Sequence, residues 1–131
     1  MFTRSGRPLH INLLRIELPI AGLVSIGHRI SGLMLIAAIP IALYLLQLSL
    51  SGESGFERAG ALLKHPGVLA VLLIAVWALV HHVLAGLRYL AIDLGIGVDL
   101  GPARRSAWVV WFSGLIAAAL FALYAVEVAV L

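Results

Sequence analysis

An arginine and a pair of adjacent histidines stand where an apolar chain should carry neither. Arg29 lies about nine residues into an apolar run that starts near residue 21, and His81-His82 lie about ten residues before the end of a second run near residue 92. At roughly 1.5 Å per helical residue, Arg29 is about 13 Å and the histidine pair about 15 Å from the corresponding helix ends. Successive spanning helices run antiparallel, so the guanidinium and the imidazoles fall at one depth. A guanidinium there costs at least about 2.5–3.5 kcal/mol on insertion scales and calls for an anionic or polar partner. An imidazole can ligate a metal through one ring nitrogen while the other donates a hydrogen bond. Cofactor ligation with cationic compensation is the chemistry these residue types suit.

Helical geometry separates the candidates. Ser25, Arg29 and Gly32 share one face of the first run, with His28 at its edge. His81 and His82 point about 100° apart and cannot ligate one iron from the same side. His82 shares its face with Ala78, Ala85, Gly86 and Tyr89, and a porphyrin lying against that face needs small neighbours such as Gly86. His81 shares its face with Trp77, Leu84 and Arg88, without that clearance. His82 is therefore the favoured axial ligand. Plainer roles stay open beside this one. An intramembrane histidine can simply bridge two helices, and Arg29 can pair with an acidic residue of another subunit. Gly22, Gly27, Ser31 and Gly32 also suit close helix packing, and Trp77, Trp108, Trp111, Tyr44 and Tyr124 suit interface anchoring. His10, His65 and Glu127 read as solvated or interfacial.

The elements that must position these residues follow from composition. Of 131 residues, 63% are hydrophobic and 11% charged, and the mean hydropathy is +1.11. Soluble domains are closer to half apolar and a quarter charged. Three apolar stretches, at about residues 21–48, 66–92 and 106–131, each exceed the roughly 20 residues a helix needs to cross hydrocarbon. The expected fold is all-α, an integral membrane bundle of three transmembrane helices forming a single membrane-anchor domain over residues 1–131. Pro40 sits inside the first span. There is no cysteine, which excludes disulfides and cysteine-ligated iron–sulfur clusters within the chain. The net charge of +3 comes from scattered basic residues, so no nucleic-acid surface is expected.

The connectors are short. Residues 49–55 read as a turn-rich exit, residues 56–64 as a short interfacial helix, His65-Pro66-Gly67 as a helix start, and residues 93–105 as the second loop. Arg4, Arg7, Arg15, Arg88, Arg104 and Arg105 collect on one side, with Arg58 and Lys64 on the other. The positive-inside rule then predicts a cytoplasmic N-terminus. Residues 1–20, interrupted by Pro8 and Pro19, do not read as a cleavable signal, which favours a bacterial inner (cytoplasmic) membrane, multi-pass.

At this point the motifs become specific. Ser25-Ile26-Gly27-His28-Arg29-Ile30-Ser31-Gly32 resembles the S-x-x-H-R-x-[ST]-G pattern of the succinate dehydrogenase cytochrome b subunit. His81-His82-Val83-Leu84-Ala85-Gly86-Leu87-Arg88-Tyr89, followed by Asp93, resembles that family's H-x-x-x-G-x-R-H-x-x-x-D pattern. Arg7-Pro8-Leu9 and the stretch from Leu13 through Arg15, Glu17 and Pro19 are similar to its N-terminal segment. Tyr89 departs by replacing a histidine, and Gly27 by replacing a bulkier apolar residue.

The resemblance implies the first membrane anchor of a succinate:quinone oxidoreductase, without activity alone. Its partners would be a flavoprotein subunit, an iron–sulfur subunit and a second membrane anchor subunit. Haem b would be shared with that second anchor. His82 would ligate the iron, His28 and Arg29 would lie near the haem propionates, and Ser25 and Arg29 would line a site for ubiquinone or menaquinone. Asp93, beside Arg88, suits helix-end charge pairing better than proton relay. Two other readings stay open: a fumarate reductase membrane anchor, and a non-redox structural membrane subunit.

Overall fold

The computed structural model describes residues 18–130, with side chains through residue 127. Leu131 and the N-terminal segment from Arg7 to Glu17 lie outside the described residues. The described chain forms α1 (Ile20–Ser49), α2 (Glu53–Lys64), α3 (Pro66–Asp93) and α4 (Leu100–Val130). Three of them are long and apolar enough to span a membrane: Ile20–Ser49, Pro66–Asp93 and Leu100–Glu127, of 30, 28 and 28 residues. At 1.5 Å per residue each is roughly 42–45 Å long, more than the hydrocarbon thickness. The all-α membrane bundle read from composition is the observed fold.

Local chemistry sets the ends. Extended Pro19 leads into α1, its carbonyl accepting from Gly22 N at 2.8 Å. α1 then continues through Pro40 to Ser49. Gly52, at φ 107°, makes the left-handed turn that starts α2. His65 caps α3, its Nδ1 accepting from Gly67 N at 3.1 Å, and Pro66 takes the first helical position, where no N–H is needed. The sequence places His65 at a helix start, with a solvated or interfacial side chain. The structure makes it a cap. α3 ends on Gly95 at φ 79° in a Schellman arrangement, with Ile96 N bonding Ala91 O and Gly95 N bonding Ile92 O, both at 2.9 Å.

Two boundaries differ from the sequence expectation. The short helix begins at Glu53 rather than near residue 56, and the last span begins at Leu100 rather than near residue 106. Gly101 and Pro102 suggested a loop. In a first turn, however, proline's missing donor costs nothing, and Ala103 N already bonds Asp99 O at 2.9 Å.

α3 is the middle element, packed against both α1 and α4, and α1 also touches α4. Its crossings are lined by small residues: Ala78, Ala85, Ala107, Gly27 and Gly114 are all buried. The apolar core of Ile20, Val24, Ala85, Ala107 and Val110, covered by Leu84, Tyr89 and Trp111, sits toward the α1 N-terminal end. Most large apolar side chains, from Leu33 at 71% to Leu123 at 69%, point outward. Hydrocarbon or neighbouring subunits are the surroundings that suit them.

The glycine spacing is testable. A Cβ on Gly27 would come 2.6 Å from His81 Nε2, whereas one on Gly60 would meet nothing within 4 Å. Gly27→Val should lower the denaturation midpoint of the detergent-solubilised protein, by an overpacking cost of roughly 1–3 kcal/mol or more. Gly60→Ala should hold or raise that midpoint.

Candidate functional site

The α1–α3 crossing brings His28 and His82 together, with Ser25 and Arg29 on the adjoining flank of α1. Gly32 packs against His82, with a Cβ there falling 2.9 Å from its Cε1, and Gly27 packs against His81. Arg29 lies between these two glycines, so it sits at the level of the histidine pair. The depth match argued from helical rise therefore holds.

His82 is half-buried and faces α1. Its Nδ1 lies 3.1 Å from the His28 carbonyl oxygen and 3.3 Å from Ser31 Oγ. A carbonyl only accepts, so Nδ1 carries the proton and donates. Nε2 then keeps its lone pair. The His28 ring stacks on His82 with centroids 4.2 Å apart and planes at 17°, and the Tyr89 ring meets His28 edge-on at 5.4 Å. His28 Nε2 also lies 3.6 Å from where a Gly86 Cβ would be. The clearance expected at Gly86 is thus lined by His28. The Tyr89 hydroxyl is buried without a hydrogen-bond partner among the described residues.

His81 turns the other way. It is fully buried, stacked on Trp77 at 5.2 Å and meeting Trp111 edge-on at 5.8 Å. Gly114 of α4 gives room to Trp77, with a Cβ there falling 3.2 Å from the indole. Both His81 ring nitrogens lack a partner among the described residues. Adjacent on one helix, the two histidines serve different surfaces, as their 100° separation requires.

Ser25 is half-buried and Arg29 exposed, both on the flank of α1 beside His28. Arg29 does not fold back onto the histidine cluster; it extends from the surface of this chain. Among the described residues, no group of three or more His, Asp or Glu converges on a metal-sized site. An axial position on haem iron needs only one imidazole from a chain.

Sequence reasoning missed two residues. Ser31, which fills the Ser/Thr position of the first motif and otherwise suits close packing, is fully buried and donates its hydroxyl to the His28 carbonyl at 2.9 Å while facing His82. Its spacing, three residues after His28, was the available signal. Arg88 is 8% exposed. Its Nε donates to Ser106 Oγ and its Nη2 to the Ala103 carbonyl, both at 3.0 Å. Ser106 Oγ in turn donates to Ala103 O at 3.1 Å. The guanidinium carbon also lies 5.6 Å from the Tyr89 ring centroid. The expected pairing of Arg88 with Asp93 does not form. Five residues separate them, which places them about 140° apart around α3, and Asp93 is exposed at the helix end.

Residues 3–123 match the family described as succinate dehydrogenase/fumarate reductase transmembrane subunit. The chain belongs to this family. Among curated relatives, the succinate dehydrogenase cytochrome b556 subunit of Coxiella burnetii (strain RSA 493 / Nine Mile phase I) is 36% identical over 115 residues, covering 85% of this chain and 90% of that one. The protein of the same name from Paracoccus denitrificans is 34% identical over 104 residues, covering 79% and 80%. The match spans the whole α1–α3 crossing, so the histidine cluster lies inside the family region.

The Arg88 contacts generate a prediction within this family framework. Arg88→Leu should lower the denaturation midpoint through a stability loss of roughly 1.5–3 kcal/mol, the worth of hydrogen bonds from a charged group. Arg88→Lys should recover only part of it, because an ammonium lacks the planar fork that reaches Ser106 and Ala103 together.

Proposed function

We propose that this chain is a membrane anchor of succinate dehydrogenase that holds haem b through His82 and passes electrons from an iron–sulfur subunit to quinone. The observation that carries the reading is the His82 imidazole, with Nδ1 engaged on the α1 backbone and Nε2 left as the basic nitrogen. Metal-bound histidines characteristically donate their second N–H to a carbonyl or carboxylate, which fixes tautomer and orientation. The residues present fit a haem. His82 offers one axial nitrogen, His28 stacks on it, Arg29 next along α1 is exposed and can pair with an anionic propionate, and the Tyr89 hydroxyl is a buried donor without a partner among the described residues. Haem b, when bound, supplies reversible one-electron transfer at its iron.

The second axial nitrogen would come from a second anchor subunit, and the exposed position of Arg29 suits a face that such a subunit covers. An Arg left in hydrocarbon would cost several kcal/mol, so compensation by an anionic group or a polar partner is expected there. The Ser25 hydroxyl can donate to a quinone carbonyl oxygen. The Arg29 guanidinium can offset the negative charge that develops on that oxygen during reduction, whether the substrate is ubiquinone or menaquinone. Flavoprotein and iron–sulfur partners would dock on the N-terminal side. Arg88, Arg104 and Arg105 at that end, against Arg58 and Lys64 at the other, support a cytoplasmic N-terminus in a bacterial inner membrane.

In the assembled complex, Arg29→Leu should cut succinate-to-quinone turnover roughly 100-fold and Ser25→Ala by a smaller factor, on the scale of lost stabilising donors. Succinate oxidation by a water-soluble dye should survive in both. Equal loss of the two activities would remove the quinone role. His82→Leu should abolish the low-spin b-type haem spectrum, and an unaltered spectrum would take His82 off the iron.

A further inference from the structure

We propose that the Ser31 hydroxyl is a positioning group for His82: with the His28 carbonyl it holds Nδ1 as the protonated nitrogen and fixes the plane in which Nε2 is presented. The inference rests on His82 being the iron ligand. Three short contacts form a closed triangle. Ser31 Oγ donates to His28 O at 2.9 Å, His82 Nδ1 lies 3.1 Å from that oxygen, and Ser31 Oγ lies 3.3 Å from Nδ1. The hydroxyl has one proton, and the carbonyl takes it. Toward Nδ1, therefore, both neighbours offer only lone pairs, and a neutral ring satisfies them in one tautomer alone.

The seat around the ring is tight. Gly32 bears no Cβ where His82 Cε1 approaches, and the His28 ring covers one imidazole face at 17°. Ser31 is fully buried, so bulk water cannot substitute for its hydroxyl. A plainer reading exists: serine inside a helix often bonds only its own upstream carbonyl. In that case its removal would leave the His82 ring electronically and geometrically unchanged, whereas a positioning role would not.

An Nδ1–H with two acceptors pushes electron density toward Nε2 and makes it a stronger donor to iron. Removing one acceptor should weaken that donation. In the intact complex, Ser31→Ala is therefore expected to move the haem midpoint potential to more positive values. It should also change the g-anisotropy of the ferric low-spin signal, which reads the relative orientation of the axial imidazole planes. Ser31→Thr, which keeps a hydroxyl on Cβ, should restore both. Loss of haem by Ser31→Ala with retention by Ser31→Thr would support the role equally.

A potential that stays put or falls in fully haem-loaded Ser31→Ala, with unchanged g-anisotropy, would overturn it. Loss of haem by both variants would trace the effect to packing and overturn it too. His82→Leu, measured in the same preparation, separates the two levels of inference. An intact haem signal in that variant defeats the ligand reading itself, whatever Ser31 variants do.

Discussion

The architecture depends on how closely the backbone of α1 can approach α3 within an apolar medium. Helix association in hydrocarbon gains little from burying apolar surface, because lipid is as apolar as a side chain, and so relies on close contact and hydrogen bonds. Gly27 and Gly32 remove the side chains that would hold the helices apart, and His81 and His82 occupy the two gaps. With His82 against α1, its Nδ1 reaches the His28 carbonyl. Bulk at either glycine would displace an imidazole, and at Gly32 it would also break the polar contact between His82 and the His28 carbonyl.

From that crossing, the adjacent histidines divide the work. His81 enters the three-helix seam, stacked on Trp77 and abutting Trp111, and contributes shape rather than polar contact. His82 remains at the margin with one nitrogen engaged. Below them, Arg88 ties α3 to the first turns of α4 through Ser106 and Ala103. Its buried charge is thereby hydrogen-bonded, which is the condition for such a charge to be tolerable away from water.

Much of this was legible in residue order. Three long apolar stretches admit only spanning helices, and helical rise alone puts Arg29 level with the histidine pair, as the contacts of Gly27 and Gly32 bear out. The opposed directions of His81 and His82 follow from 100° per residue. What escaped was which neighbour meets each polar group. Arg88 and Ser106 lie on different helices, and nothing in their spacing marks them as partners. Ser31 sits in a small-residue pattern that also describes ordinary packing. The start of α4 escaped because Gly101 and Pro102 are loop residues in most positions and harmless only in a first turn. Side-chain pairing across a crossing is tertiary information, and one-dimensional periodicity carries little of it.

The unsatisfied buried groups lie in two different surroundings. An unpaired buried polar atom costs roughly 1–3 kcal/mol, so each orphan needs a reason. The His81 nitrogens lie in the seam between α1, α3 and α4, enclosed by two indoles, where no larger group can enter without separating the helices. Their cost is borne by the specificity of a seam that accepts one ring of that shape. The Tyr89 hydroxyl is different, because its ring meets His28 edge-on, and His28 in turn stacks on the half-buried ring of His82. The phenol oxygen is shielded within the bundle, so a partner reaches it only if the surrounding side chains shift. Chemically similar orphans thus differ in their surroundings: the His81 nitrogens sit in a three-helix seam between two indoles, and the Tyr89 phenol sits against the imidazole stack of the α1–α3 crossing.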